Sequence, residues 1–148
     1  MDRVMNIAKY TVDRCMKKYR PITNLKLQKI LYFIQLQFMK KGFDAFSDHM
    51  YAWKFGPVAV DVYKEFSICG SRPIIRDYND DDLQLDMSEN KKDFLDRIID
   101  KYSQINSWEL TKGTHLQGSP WDIVYQDGKG KYSLISSLLI AEYLPLPS

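Results

Sequence analysis

Apolar residues recur at helical spacing through two stretches near the start of the chain. Residues 2–19 carry one apolar stripe with polar and basic side chains off it, which predicts an amphipathic helix that Pro21 ends. Thr23 is the expected N-cap of a second helix that runs to about Lys40. Because this second segment is apolar on more than one side, we expect it to be a central helix, buried among the others.

The middle of the chain combines a turn with the start of another helix. Gly56 can adopt backbone angles closed to other residues, and Pro57 suits the first position of a helix because it has no N–H to lose there. We therefore expect a helix that begins at Pro57 and stops at Gly70, preceded by a strand within residues 50–55. The alternating residues 83–85 are the expected partner of that strand in a minor two-stranded element.

Polar caps mark further helices in the second half of the chain. The expected helices are residues 89–102 after the cap Ser88, 108–115 after Asn106 or Ser107, 120–126 after Ser119, and 136–144, which Pro145 and Pro147 end. Taken together, the pattern predicts a mainly α (α+β) fold. We expect one compact domain over residues 1–148, organised around the central apolar helix, with a minor two-stranded β element.

Composition agrees with a folded domain. Of the 148 residues, 45% are hydrophobic and 14% aromatic, which is too apolar for a disordered chain. No apolar run approaches the length of a membrane span, so we expect a cytoplasmic protein without a membrane partner. Cys15 and Cys69 are too few for a disulfide framework and are expected to be reduced.

Net charge is only +2, but it is unevenly distributed. Residues 1–41 carry ten Lys or Arg against two Asp, whereas residues 42–148 carry eleven against seventeen Asp or Glu. The simpler interpretation is that the two parts attract each other and that many charges solvate helices. The alternative is that a basic amino-terminal face meets an acidic protein or a phosphate backbone.

Candidate catalytic or metal chemistry is sparse. The two histidines and two cysteines form no short ligand pair, and residues 77–88 begin like a calcium loop but lack its glycine and its final glutamate. A cysteine acting with His115 is conceivable, yet no nucleophile elbow, phosphate loop or dinucleotide motif accompanies it. We expect no metal site, no cofactor and no enzyme activity.

The segment from Thr114 to Trp121 admits two interpretations. In the first, Thr114 and His115 hydrogen-bond loop backbone while Trp121 fills the core. In the second, these side chains line a groove near Trp53 and Lys54 that grips a partner. A polar network can also shape a binding surface without touching the ligand, so the two are compatible.

Three ordered motifs resemble the Panacea domain, an antitoxin family that includes SocA-type antitoxins and many phage-associated proteins. The motifs occur in residues 25–33, 52–58 and 110–121, and the resemblance extends over about residues 23–143. The positions matching the family pattern are Leu27, Gln28, Tyr32, Trp53, Lys54, Gly56, Pro57, Thr114, His115, Pro120 and Trp121.

The resemblance implies a non-catalytic antitoxin that binds and neutralises a co-encoded protein toxin in a bacterium or prophage. Whether neutralisation is by occlusion or by delivery to a cellular protease stays open. The candidate partner-binding or motif residues are Trp53, Lys54, Gly56, Pro57, Tyr63, Thr114, His115 and Trp121.

The alternative function is that of a DNA-binding transcription regulator, or of a phage accessory protein, acting through the basic amino-terminal face. Residues 21–24 superficially resemble the turn of a helix-turn-helix. The helix that follows is too apolar beyond Ile30 to lie along a groove, although its first turn could reach phosphate. The candidate nucleic-acid residues are Arg14, Lys17, Lys18 and Lys29.

Overall fold

Helices dominate the computed structural model, which describes residues 1–143. The helices are α1 (Val4–Lys17), α2 (Asn24–Lys40), α3 (Val60–Glu65), α4 (Glu89–Ser103), α5 (Ser107–Thr114), α6 (Pro120–Tyr125) and α7 (Ser137–Glu142). The strands are β1 (Met50–Trp53), β2 (Gly56–Val58) and β3 (Leu134–Ile135), and 3-10 helices cover Ser67–Cys69, Asp81–Leu83 and Gln126–Gly128. The predicted mainly α fold is confirmed.

α2 is the central helix, and most other elements pack around it. Thr23 caps its start by accepting a hydrogen bond from Lys26 N at 3.2 Å. Apolar side chains on several sides of α2 are buried, including Leu27, Ile30 and Ile34, which have no exposed surface. α2 contacts α1, α3, α4, α5, α7 and β2. The all-round apolar pattern of this segment is therefore explained by burial on all sides.

The small sheet has three antiparallel strands, in the order β2-β1-β3, rather than two. β1 pairs along one edge with β2 and along the other with β3, where Met50 faces Ile135. The expected pairing of residues 83–85 with β1 is wrong, since residues 81–83 form a 3-10 helix instead. The strand that takes this place comes from the far end of the chain and is only two residues long, too short to show an alternating pattern.

Pro57 lies in β2 and not at the start of a helix, which corrects the predicted helix boundary. Gly56, with φ of +126°, ends a two-residue turn that sends the chain back along β1. β2 is an edge strand, the position in a sheet where proline is tolerated. α3 begins at Val60, and the preceding Ala59 N donates to Gln28 Oε1 at 2.9 Å.

The polar caps expected in the second half of the chain are present. Ser88, Asn106 and Ser119 each accept a hydrogen bond from the backbone N–H three residues further on. Of the two candidates at 106 and 107, Asn106 is the cap. Pro120 occupies the first turn of α6, as the sequence predicts.

The last described helix, α7, covers Ser137–Glu142 and is capped by Ser136, whose Oγ accepts from Leu139 N. The predicted end of this helix at Leu144, and the stop signals Pro145 and Pro147, lie outside the residues that the structure describes. Cys15 is buried and Cys69 partly exposed, and both are free thiols. Within residues 1–143 no helix is both long and apolar enough to span a bilayer.

Ion pairs join α1 to α4. Arg14 donates from Nε to Asp100 Oδ1 at 2.8 Å, and its Nη1 lies 3.4 Å from Asp96 Oδ2. Lys18 Nζ lies 2.9 Å from Asp100 Oδ2, and the Tyr10 hydroxyl donates to Asp96 at 2.6 Å. The hydrogen bond from Arg14, with smaller effects from Lys18, lowers the pKa of Asp100 to about 2. The basic amino-terminal part is thus partly neutralised by acids from later in the chain.

Candidate protein-binding surface

The tip of the β1–β2 hairpin presents an aromatic side chain to solvent. Because Trp53 pairs with Gly56, the turn between them consists of Lys54 and Phe55 alone. Phe55 is 57% exposed, and Lys54 Nζ lies 5.6 Å from the centroid of its ring. The turn therefore holds a phenyl ring and an ammonium group side by side at the surface.

A shallow concavity of about 200 Å³ lies beside this turn, and we call its lining the aromatic surface: Trp53, Phe55, Tyr63 and Tyr132, with Leu25, Val58, Lys54 and Lys131. Trp53 makes edge-to-face contacts with Tyr63 and Tyr132, at 5.1 Å and 5.6 Å between ring centroids. Tyr132 is 58% exposed. No acidic residue lines the concavity. Clustered aromatic rings with basic neighbours are typical of protein-binding sites.

A buried cluster behind the turn holds its conformation. Lys29, which is only 1% exposed, donates from Nζ to the carbonyl oxygen of Phe55. A Cβ on Gly56 would lie 3.2 Å from Thr114 Oγ1 and 3.3 Å from Lys29 Nζ, so glycine leaves room for both polar groups. Thr114 is fully buried and donates to the Thr111 carbonyl at 2.9 Å. Side chains of α2 and α5 therefore support the hairpin from inside.

Lys29 and His115 are the titratable groups of this cluster. Burial lowers the pKa of Lys29 to about 8. Burial, and then the positive charge of Lys29, lowers the pKa of His115, so this imidazole is neutral near pH 7. His115 Nε2 is buried and has no hydrogen-bond partner within residues 1–143. A Cβ on Gly56 would also lie 3.6 Å from this nitrogen, so His115 Nε2 and Lys29 Nζ border the same small space.

Trp121 connects this cluster to β1. Its ring stacks on His115 at 3.8 Å between centroids, with 4° between the ring planes, and on Tyr125 at 4.6 Å. Its Nε1 donates to the Trp53 carbonyl at 2.7 Å. The α5–α6 segment is thereby joined to the hairpin by both stacking and hydrogen bonding.

The residues that the sequence analysis proposed for partner binding lie on the hairpin, directly behind it, or on α3 against it. Trp53, Lys54 and Tyr63 line the aromatic surface. The other five are buried or partly buried: Gly56, Pro57, Thr114, His115 and Trp121. Position alone therefore divides the set into three side chains that another molecule can reach and a group that shapes the hairpin.

Five lining residues were not singled out as partner contacts from the sequence: Leu25, Phe55, Val58, Lys131 and Tyr132. The first three lie within the sequence motifs and could have been included, but nothing marks Lys131 or Tyr132, which come from a distant part of the chain. Lys29, a candidate for nucleic-acid contact, is instead part of the buried cluster. The signal for its burial is a charged residue within a segment that is otherwise apolar on several sides.

The other candidate nucleic-acid residues have partners within the protein. Arg14 and Lys18 pair with carboxylates of α4, and Lys17 pairs with Asp13 at 2.7 Å. A phosphate backbone would have to compete with these carboxylates for the same cations. The structure therefore offers no observation that favours nucleic-acid binding through this face.

Side chains with metal or nucleophile chemistry are not gathered into a site within residues 1–143. No group of three His, Cys, Asp or Glu there is arranged to hold a metal ion. Burial raises the pKa of Cys15 to about 11, so its thiol is protonated at neutral pH and is a weak nucleophile.

Comparison with known proteins associates the sequence of this chain with one family. The family described as "Antitoxin SocA-like, Panacea domain" matches residues 27–122, which include α2, the hairpin and the α5–α6 segment. Antitoxin SocA of Caulobacter vibrioides (strain NA1000 / CB15N) is 29% identical over 127 residues, covering 80% of this chain and 68% of that protein. No solved structure matches the chain.

Proposed function

The chain belongs to the SocA-like antitoxin family that carries the Panacea domain, and from this membership we propose that it is an antitoxin: a non-catalytic protein that binds and neutralises a co-encoded toxin. The related Antitoxin SocA supports the same role. The toxin would be a protein encoded next to this one.

We place the toxin contact on the aromatic surface. Phe55 and Tyr132 are each more than half exposed. Phe55 lies on the turn, which the hydrogen bond from Trp121 to Trp53 helps to hold, and Tyr132 lies on the segment before β3, where its N–H donates to the Ala52 carbonyl at 2.7 Å. Because the supporting cluster already orders the turn, binding would require little further loss of conformational freedom. Large exposed rings on and beside a preorganised turn are the observation that carries this assignment.

Direct occlusion is the mode of neutralisation that this surface supports, because contact with the toxin would itself cover toxin surface. Delivery of the toxin to a cellular protease is the alternative mode, and it would require a further contact with the protease. The two modes differ in the fate of the toxin: occlusion leaves its amount unchanged, whereas delivery lowers it.

The test is co-expression of the neighbouring open reading frame with and without this protein. We expect the neighbour alone to stop growth, and co-expression to restore growth and give a complex that copurifies. An immunoblot of the toxin during rescue separates the modes, since an undiminished amount indicates occlusion. A neighbour that is harmless, or that is not bound, would contradict the antitoxin function.

The position of the contact is tested by the double variant Phe55→Ser, Tyr132→Ser. We expect its affinity for the toxin to fall by about tenfold or more, the effect of losing hot-spot side chains. The matched control is Ile68→Ser, which removes an apolar side chain that is 79% exposed and lies outside the aromatic surface. Thermal unfolding should be nearly unchanged in both. Full rescue by the double variant would place the toxin elsewhere while leaving the antitoxin function intact.

A further inference from the structure

A larger concavity, of about 690 Å³, lies between the carboxyl-terminal end of α2 and α4, and we call it the α2–α4 groove. Lining side chains recur every few residues along α4, from its cap Ser88 to Tyr102. At 1.5 Å per residue, the groove follows that helix for about 20 Å. None of its lining residues belongs to the aromatic surface, so the two are separate sites.

Three aromatic side chains form the apolar part of the groove. Phe94 packs on Phe38 of α2 at 5.2 Å between ring centroids, and Tyr102 stacks on Phe33 of α2 at 4.5 Å. Both rings are therefore backed by the core. Phe43, from the segment after α2, is 46% exposed and adds an apolar surface that nothing within residues 1–143 fully covers.

Four basic side chains surround these rings: Lys41, Lys91, Arg97 and Lys101. Within the described residues, none of them has a carboxylate within 4.0 Å, whereas the adjacent Lys92 pairs with Glu89 at 3.4 Å. No Asp or Glu lines the groove. The groove therefore combines an apolar floor with a cluster of positive charge that has no counter-charge of its own.

We propose that the α2–α4 groove binds an acidic amphipathic segment of a partner protein. Apolar side chains of that segment would contact Phe43 and Phe94, and its carboxylates would pair with the basic side chains around them. A helix of about 14 residues matches the length of about 20 Å. Charge complementarity selects an acidic segment over a basic or neutral one.

Nucleic acid fits the groove less well, although it also carries negative charge. Bases bind to protein rings by stacking on their faces. Here Lys91 Nζ lies 4.1 Å from the centroid of Phe43, and Tyr102 has Phe33 stacked on it and Lys101 Nζ 5.3 Å from its centroid. These contacts leave less ring face on which a base could stack, whereas the lysine ammonium groups can still pair with carboxylates.

The proposal is tested with three fluorescein-labelled peptides and one oligonucleotide, each measured by fluorescence anisotropy with the full chain. The probe peptide is a designed helix with Glu on one face and Leu and Trp on the other. One comparison peptide replaces Glu by Lys, and the second replaces Leu and Trp by Ser. Single-stranded oligothymidylate is the nucleic-acid probe. We expect only the acidic amphipathic peptide to bind tightly.

The groove is assigned by variants. Lys41→Glu with Lys101→Glu should weaken binding by about tenfold or more, since two attractive charges become repulsive. Phe43→Ser, at a half-exposed position, should weaken it by about threefold to tenfold. The control Lys64→Glu reverses an exposed charge on α3, which does not line the groove, and should have little effect.

Three results would overturn the proposal: equal binding by the Ser-substituted peptide, unchanged affinity in the groove variants, or tighter binding of oligothymidylate that those variants abolish. The last would assign the groove to nucleic acid. Because no toxin is used, failure here leaves the proposed antitoxin function standing, and failure of the growth test leaves the groove assignment standing.

Discussion

Lys29 shows how strongly one buried charge can influence a binding surface. Its stem lies in the apolar α2, and its ammonium group satisfies the carbonyl of Phe55 beneath an exposed turn. Desolvation makes this charge costly, as its lowered pKa reflects, but the hydrogen bond ties the turn to the central helix. The stability of the hairpin is therefore coupled to the ionisation of one side chain.

That coupling predicts a pH dependence. Lys29 has a folded pKa of about 8 against an ordinary value of 10.5, so the unfolded chain binds its proton more tightly. Its charge therefore costs stability in full below about pH 8, and the cost shrinks as the pH rises towards about 10.5. Relative to the uncharged variant Lys29→Met, the wild type should gain about 2 kcal/mol between about pH 7 and about pH 9.5.

Urea denaturation of both proteins across this pH range measures the effect. Other groups with shifted pKa values, such as Lys26 and Lys40, are common to the two proteins and cancel in the difference. Parallel stability profiles would mean that Lys29 keeps an ordinary pKa in the folded protein, and would contradict the prediction.

Gly56 is the second residue on which the hairpin depends. Gly56→Ala places a Cβ at a φ of +126° and within 3.3 Å of two buried polar groups. We expect the free energy of unfolding, measured in urea, to fall by about 2–4 kcal/mol from backbone strain and crowding together. Gly42→Ala is the control, since Gly42 also has positive φ, +87°, but has open space around it. Equal losses in the two variants would show that the contacts with Thr114 and Lys29 add nothing.

At the scale of elements, α4 has two electrostatically different sides. Asp96 and Asp100 face α1 and pair with its basic side chains, whereas Lys91, Arg97 and Lys101 line the groove on another side. A count of charges along the sequence averages over these sides. The helix can therefore stabilise the fold with one side and leave the other for a partner.

The pairing of α1 with α4 predicts a second dependence on pH. Asp100→Asn should lower the free energy of unfolding by about 1 kcal/mol at neutral pH, a value reduced for the partial exposure of the pair. Because the folded pKa of Asp100 is lowered to about 2 from 3.8, this stabilisation is present above about pH 4 and is lost as the pH falls towards 2.

Asp93→Asn is the matched control, because Asp93 is an exposed carboxylate on the same helix. Thermal unfolding of both variants and the wild type between about pH 2 and pH 7 makes the comparison. An effect of Asp93→Asn as large as that of Asp100→Asn would indicate a general charge effect in place of the specific pairs with Arg14 and Lys18.

For the whole molecule, the charge count along the sequence does not show where positive charge is matched and where it is not. Part of the amino-terminal excess is matched internally by α4, in agreement with the simpler interpretation of the sequence. Apart from Lys41, the cations that line the two concavities come from residues 42–148, which are net acidic, yet no acid lines either concavity. This unmatched positive charge lies next to exposed aromatic rings. A protein partner could there form ion pairs with the basic side chains and apolar contacts with the rings.

Much of the fold was determined locally. Thr23, Ser88, Asn106 and Ser119 cap the helices that their neighbours' periodicity predicts, because capping and amphipathic spacing act within a few residues. The ordered motifs were also enough to identify the family. These features need no knowledge of which distant segments meet.

Tertiary structure decided the features that depend on distant contacts. Residues 56–58 became an edge strand and not a helix start because the turn at Gly56 lets them pair with β1, and β3 joined from about 80 positions away. The role of Lys29 beneath the turn could be recognised only once the Phe55 carbonyl was placed beside it. The two concavities likewise exist only because separate helices and strands are brought together, and no local pattern records that arrangement.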